Sequence, residues 1–311
     1  MSAPQIEVEP VEQTYDEKLL TIVEQLPEGG VPLGWVRSID EDPRLWRYED
    51  TTPTQATDVQ VVEEGVTELR ESVALRGLSV EVPGVPRRSF RWVGRGGRIR
   101  DQGFTPRCVC YSGAVVRIFQ ERREHRRTYE VNEGAWYDAT KKIDPWGPSV
   151  EGTGIPYAAE IARTQGVRME DPRSTRDDPE QGRLFRIGAY TALTTVPQMI
   201  ECLANYGPVW FGTDVDRNIF TPRKSDLGYV LPEPGQAKMA GGHAMALLGY
   251  DLDLGWGLVQ QSWGEDYGGH PRYGPGLFWY PLSYFADARY EWDAWLVSDE
   301  HDDFIVRPGA G

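Results

Sequence analysis

The sequence predicts an α+β fold in which helices come first and strands follow. Three observations carry that prediction. Val109, Tyr111, Val115, Ile118 and Phe119 have the spacing of one helix face. Helical segments recur as far as Leu203, and from Gly207 onward the chain reads as a run of strands. The 34 Gly and 23 Pro in 311 residues predict many loops and short strands.

Taken in order, residues 1–30 are acidic and Pro-rich, with one short helical stretch at residues 15–23. They read as a solvated or docking arm, or as part of an inhibitory pro-segment. Trp35, Trp46 and Tyr48 lie in polar surroundings, as in a segment pinned across a domain surface. Residues 50–60 read as a linker and 61–75 as a helix with Glu and Arg on its outer face. Residues 90–93 alternate like a strand, and the Gly/Arg run at 94–97 is a flexible turn. No P-loop lysine follows it, so a loop is preferred to an anion site.

The helix opened by Cys108 runs into a Glu/Arg sequence at 121–127. Arginines suit a helix C-terminus, so a solvated helix end is expected, the rival being a basic contact for an acidic partner. Residues 136–143 and 155–163 read as two helices joined through Gly147, Gly152 and Gly154. Those glycines either shape the loop or let backbone approach an extended ligand. Residues 169–182 read as a charged surface loop. Pro197 opens a helix that places Cys202 in the core. Strands are expected at 207–212, at 241–250 with His243 at its start, and at 258–264, 276–281 and 294–297, before a polar tail.

Composition bounds the rest. The length allows one large domain with an N-terminal extension as readily as two domains. Eleven Trp and fifteen Tyr argue for a packed globular protein. A net charge of −15 disfavours nucleic-acid binding through phosphates. No apolar run of membrane-spanning length and no secretory leader are visible, so neither membrane nor secretion is expected. Three cysteines make no disulfide framework, which suggests a reducing compartment. Cys108 and Cys110 lack a second ligand pair nearby, so neither metal nor cofactor is expected.

The chemistry centres on residues 100–112. A glutamine amide, Gln102, precedes by six residues a cysteine at a helix N-terminus. There the positive end of the macrodipole and the unpaired N–H groups of the first turn favour thiolate. An amide just upstream can donate to an oxyanion at an attacked carbonyl. Of four histidines, His125, His270 and His301 lie in charged or loop segments, and only His243 begins an apolar strand. Paired with Cys108, its imidazole can take the thiol proton and later protonate a leaving amine. Gln261 on the following strand can hold the other ring nitrogen, shielded by Trp263.

These blocks resemble those of papain-like cysteine peptidases, especially the bacterial branch. Asp101-Gln102-Gly103 with Cys108, Tyr111 and Ser112 is similar to the nucleophile block. Residues 151–155 and 165–167 resemble the glycine loop and helix bordering the substrate cleft. Residues 205–209, Gly242-His243-Ala244-Met245 and Gln261-Ser262-Trp263-Gly264 resemble the blocks that follow in the second half. The separations, 243 − 108 = 135 and 261 − 108 = 153 residues, suit the family's spacing.

The resemblance implies a two-subdomain papain-like fold with a helical left half and an antiparallel, β-barrel-like right half. It implies residues 1–87 as an extension, 88–300 as the catalytic domain and 301–311 as a tail. Cys108 would be nucleophile, His243 acid/base, Gln102 oxyanion donor and Gln261 orienter. Gly152, Thr153, Gly154, Ile155, Ala244 and Trp263 would line the substrate site, an extended peptide pairing as an added strand. The implied partner is a peptide or protein substrate, with no cofactor, and the location cytoplasmic or virion-associated.

The chain departs from the family at Val109, where a Trp is usual. It departs at Thr105-Pro106-Arg107, where Cys-Gly-Ser is usual, and at Gln261, where Asn is usual. Those departures motivate an alternative: a catalytically weak or inactive papain-like protein with a structural or binding role in an assembly such as a virus particle. Residues 1–87 would then clasp assembly partners. An amidase or transpeptidase using the same nucleophile is a third reading.

Overall fold

Helix α1 (Cys108–His125) is buried along most of its length. The computed structural model describes residues 89–92, 98–125, 129–170 and 184–299. The expectations for residues 1–87, the 94–97 turn, most of the 169–182 loop and the C-terminal tail lie outside them.

In chain order, β1 (Ser89–Arg91) precedes α1. After α1 come β2 (Glu130–Val131), α2 (Glu133–Thr140), α3 (Ile155–Thr164), β3 (Val167–Glu170) and β4 (Leu184–Phe185). Then follow β5 (Ile187–Leu193), α4 (Val196–Asn205), β6 (Val209–Asp216), a 3-10 turn (Arg217–Phe220), β7 (Arg223–Ser225) and β8 (Gly228–Val230). The chain continues with β9 (Met239–Asp251), β10 (Trp256–Gln260), β11 (Leu277–Pro281), α5 (Ser283–Ala286) and β12 (Trp292–Asp299).

The α+β prediction holds. Among the described residues, nine strands form one sheet in the order β5-β12-β6-β9-β10-β11-β8-β7, with β1 added to β9. Pairing is antiparallel except between β11 and β8, and the sheet is open rather than closed. β2, β3 and β4 make a small separate sheet.

Alternation along the strands builds two cores, since successive side chains point to opposite faces. On β9, Ala244, Ala246 and Leu248 join the cluster containing α1, α2 and α3, whereas Met245 and Leu247 join the one containing α4 and α5; a register irregularity opposite Leu248 then puts Tyr250 in the second cluster. Trp210 and Phe211 on β6, and Trp295 and Leu296 on β12, divide in the same way. The sheet is thus covered on both faces, which is why residues 244–250 read as a continuous apolar run.

Three local expectations change. Helix α1 is buried nearly all round rather than along one face, including Arg117, Gln120 and Glu121. Arg117 pairs with Glu121 and donates to Gln120 Oε1 at 2.7 Å, while Gln120 Nε2 donates to the Val297 carbonyl at 2.5 Å. Glu121 is therefore interior, not part of a solvated helix end. Helix α2 begins three residues earlier than expected, because Asn132 accepts from the Ala135 N–H as its N-cap. β10 ends at Gln260, one residue before Gln261.

Gly113 shows how tightly α1 meets the sheet. A Cβ there would lie 2.5 Å from Trp210 Cζ2 and 2.8 Å from Trp136 Cη2. Trp210 Nε1 in turn donates to Ser112 Oγ at 2.9 Å, one residue before that glycine.

Candidate active site

Cys108 is the first residue of α1, where the first-turn N–H groups have no intrahelical acceptor. Residues 100–102 run alongside 262–264. Gln102 N donates to the Ser262 carbonyl at 2.8 Å, Gly264 N donates to the Arg100 carbonyl at 2.9 Å, and Asp101 bridges Trp263. This short strand-like contact brings the Gln102 segment against the Gln261 segment from 160 residues away.

The Gln102 amide has a defined orientation. Ser262 Oγ donates to its Oε1, and its Nε2 donates to the Thr105 carbonyl at 2.7 Å. An amide nitrogen carries two protons, so one remains for a second acceptor.

The Cys108 thiol lies where the N-terminus of α1 meets the middle of β9, four residues of which precede His243. Its Sγ accepts from the Ala244 N–H at 3.3 Å, directly after His243. His243 is fully buried, its ring stacked on Trp263 with centroids 4.7 Å apart. Trp263 is itself stacked on Phe220 and met edge-on by Tyr267. His243 Nε2 lies 3.3 Å from Gln261 Oε1. With the amide oxygen accepting, the geometry matches a ring carrying its proton on Nε2.

Burial dominates the electrostatics of the thiol. Desolvation pushes Cys108 up from its ordinary value to about 12, with the Ala244 N–H pulling the other way. Cys110 and Cys202 are also raised by burial. Burial by itself therefore favours the neutral thiol, so ionisation calls for an adjacent base.

The structure places the other expected site residues unevenly. Ala244 and Trp263 lie against Cys108 and His243 respectively. Thr153 and Ile155 are buried, and Thr153 Oγ1 donates to Asp144 Oδ2 at 2.9 Å, so their side chains face the protein interior. Gly152 has a positive φ of 87° and is held by Tyr137 and Lys141. Gly154 is the extended N-cap of α3.

Sequence reasoning missed Ser262 as the partner of Gln102, and Lys141, Asp144 and Tyr137 behind the 152–155 segment. Ser262 lies next to Gln261 in the 261–264 block. Lys141 and Asp144 had only their i, i+3 spacing before a Pro/Gly loop to mark them. Among the described residues there is no group of three or more His, Cys, Asp or Glu suited to a metal. No helix among them is long and apolar enough to cross a membrane.

Comparison with known proteins gives a consistent picture. The chain superimposes on xylellain, a cysteine protease from Xylella fastidiosa, with a TM-score of 0.60 at 18% identity, covering 86% of this chain and 95% of that one. The fold is that of the papain-like cysteine proteases. Procathepsin L2 proteinase from the Tenebrio molitor larval midgut matches with a TM-score of 0.54 at 17% identity, over 89% of this chain and 82% of that one. By sequence, an uncharacterized peptidase C1-like protein of Acanthamoeba polyphaga mimivirus is 24% identical over 225 residues, 66% of this chain and 71% of the relative. No family model matches the chain.

Proposed function

We propose that the protein is a cysteine peptidase acting on peptide or protein substrates through Cys108 and His243. The observation that carries this reading is the meeting of α1 and β9. It sets the Cys108 Sγ 3.3 Å from the N–H that follows His243, with that imidazole held by Gln261. With Nε2 on Gln261, Nδ1 is the nitrogen left to exchange a proton with the thiol.

Proton transfer from Cys108 to His243 creates the nucleophile that the buried thiol alone supplies poorly. The thiolate attacks the peptide carbonyl carbon, and charge develops on its oxygen. The Cys108 N–H and the free amide proton of Gln102 are the groups available to bind that oxyanion. Collapse of the tetrahedral adduct breaks the C–N bond as His243 gives its proton to the leaving amine. Water, deprotonated by His243, then cleaves the thioester and returns the thiol. Trp263 keeps water from the Gln261 side of the ring.

A second reading follows from the burial of Cys108 and its raised ionisation: a papain-like protein whose site no longer turns over and which binds partners instead. One experiment separates the two. The purified protein is treated with an epoxide-type thiol inhibitor across pH and assayed on fluorogenic peptides, with Cys108→Ala and His243→Ala alongside. The peptidase reading expects cleavage lost in both variants, and labelling of Cys108 well below the free thiol pKa of about 8.5 that depends on His243. Labelling no faster than at Cys110 or Cys202, with no cleavage, would overturn it in favour of a binding role.

A further inference from the structure

Behind the 152–154 segment lies a buried polar network that the proposed chemistry does not use. Lys141, at the end of α2, sends Nζ to Asp144 Oδ2 at 2.6 Å and to the Gly152 carbonyl at 2.9 Å. Asp144 Oδ2 also accepts from Thr153 Oγ1, and its Oδ1 accepts from the Gly147 N–H at 2.8 Å. The Tyr137 hydroxyl accepts from the Gly152 N–H at 3.1 Å. One ion pair therefore grips both ends of the loop that leads from α2 into α3. All its members except Gly147 are buried.

A buried ion pair is a poor way to gain stability, since desolvation offsets most of its attraction. Directionality is what it supplies. Lys141 and Tyr137 fix the Gly152 peptide unit at a φ of 87°, and Thr153 is fixed through its hydroxyl. The same Tyr137 ring lies under the Arg107 guanidinium, 5.6 Å from its centroid, and Arg107 directly precedes Cys108. A continuous set of contacts thus links the nucleophile's end of α1 to the segment opening α3. The described cysteines are all free, so no disulfide shares this task.

We propose that Lys141, with Asp144 and Tyr137, is a positioning residue for the 152–154 backbone as the wall against which an extended peptide pairs. This inference rests on the peptidase reading of the cleft. Its signature is selective: it acts on the acyl side of long substrates, not on the thiol. Lys141→Met, which keeps the stem and removes the charge, is expected to raise KM about tenfold for peptides extended on the acyl side. kcat and the rate of Cys108 alkylation should stay within about twofold, and a short ester without those residues should be unaffected. Tyr137→Phe is expected to move KM in the same direction.

Lys141→Met/Asp144→Leu guards against a folding artefact. Removing both charges leaves no unpaired ion in the interior, so its Tm should return toward that of the wild type. The raised KM should persist, because Gly152 still lacks its donor. Equal losses on long and short substrates, or recovery of KM along with Tm in the double variant, would overturn the proposal. If the wild type shows neither cleavage nor labelling, the peptidase reading itself fails. The wall is then read by fluorescence-anisotropy binding of the same long peptide to Cys108→Ala with and without Lys141→Met. Tenfold weaker binding supports the positioning role, and equal binding refutes it.

Discussion

The two sides of the candidate site differ in what is added to their apolar packing. The helical side, which carries Cys108, is tied by buried ion pairs: Arg100 with Glu133, Arg117 with Glu121, and Lys141 with Asp144. The strand side, which carries His243, is tied by rings. Phe220, Trp263 and His243 stack in series, Tyr267 closes the stack edge-on, and Phe278 carries the contacts on to Tyr280, Phe211 and Phe285 in the second core. Ion pairs fix direction and tolerate no loss of a single partner. Ring packing fills volume and tolerates modest reshaping. The Cys108 side should therefore be brittle to single charge changes, and the His243 side sensitive mainly to lost volume.

The sharpest way to break this contrast is at Arg117. Arg117→Met leaves Glu121 buried without its guanidinium and is predicted to destabilise by about 3–5 kcal/mol in urea unfolding. Arg117→Met/Glu121→Leu should recover most of that loss. A single variant that loses less than about 1 kcal/mol would mean that burying Glu121 does not depend on its pair within α1.

On the strand side the corresponding test is Trp263→Ala, which removes the ring between Phe220 and His243. Trp263 is only partly buried, so about 3 kcal/mol is expected, the lower end for loss of an aromatic. Because no charge is stranded, Trp263→Phe should recover more than half of it. Failure of Phe to rescue would show that the indole shape, not the filled volume, is what matters there.

Much of this arrangement was legible in the chain. Cys108 at a helix start and His243 in an apolar strand are local patterns, set by side-chain period, although β9 begins at Met239, four residues before His243, and not near it as expected. What stayed hidden depends on closure over long range. Glu121 looks like the start of a solvated helix end until it pairs with Arg117 in the interior, beside Gln120, which reaches the Val297 carbonyl of β12. Lys141 has no sequence cue for Gly152, eleven residues away, since their contact exists only once α2 and α3 pack. β5 went unread because Gly188, Ala189 and Ala192 dilute the β-branched and aromatic signature of a strand.

A pH series sharpens the comparison through the thiols. Burial raises all three, two on the helical side and Cys202 on the other. A raised folded-state pKa means that the unfolded chain loses the proton first. Stability contributed by each thiol is thus present below about pH 8.5 and declines above it, by up to about 1.4 kcal/mol per pH unit. Cys202→Ala should flatten the alkaline slope measured by urea unfolding at pH 8, 9 and 10. An unchanged slope would mean that Cys202 is not desolvated as its position implies.

Gly113→Ala tests the junction between the two sides. Its Cβ would enter the space of Trp210 and Trp136, both anchored by indole hydrogen bonds, to Ser112 Oγ and to the Ala158 carbonyl. Neither ring can swing away without breaking its bond. A loss of about 1–3 kcal/mol is expected from overpacking, read as a lower urea midpoint with unchanged m-value. A neutral result would show that α1 can shift outward on β9.

The smallest stability effect belongs to Gln261, and it reverses the usual link between fold and activity. Its Oε1 reaches His243 Nε2 at 3.3 Å, longer than a typical N–H···O bond, while its buried Nε2 has no hydrogen-bond partner among the described residues. A buried donor left unsatisfied opposes folding by about 1–3 kcal/mol. Gln261→Ala removes that donor together with some packing, so the net change in Tm is predicted to be near zero. On the peptidase reading the imidazole, however, loses the acceptor that orients its ring. We therefore predict a fall in kcat of about tenfold, the weight of one ring-orienting hydrogen bond at roughly 1.4 kcal/mol, with KM unchanged. A variant that lost stability and kept kcat would place Gln261 with the packing of the strand side rather than with the chemistry of His243.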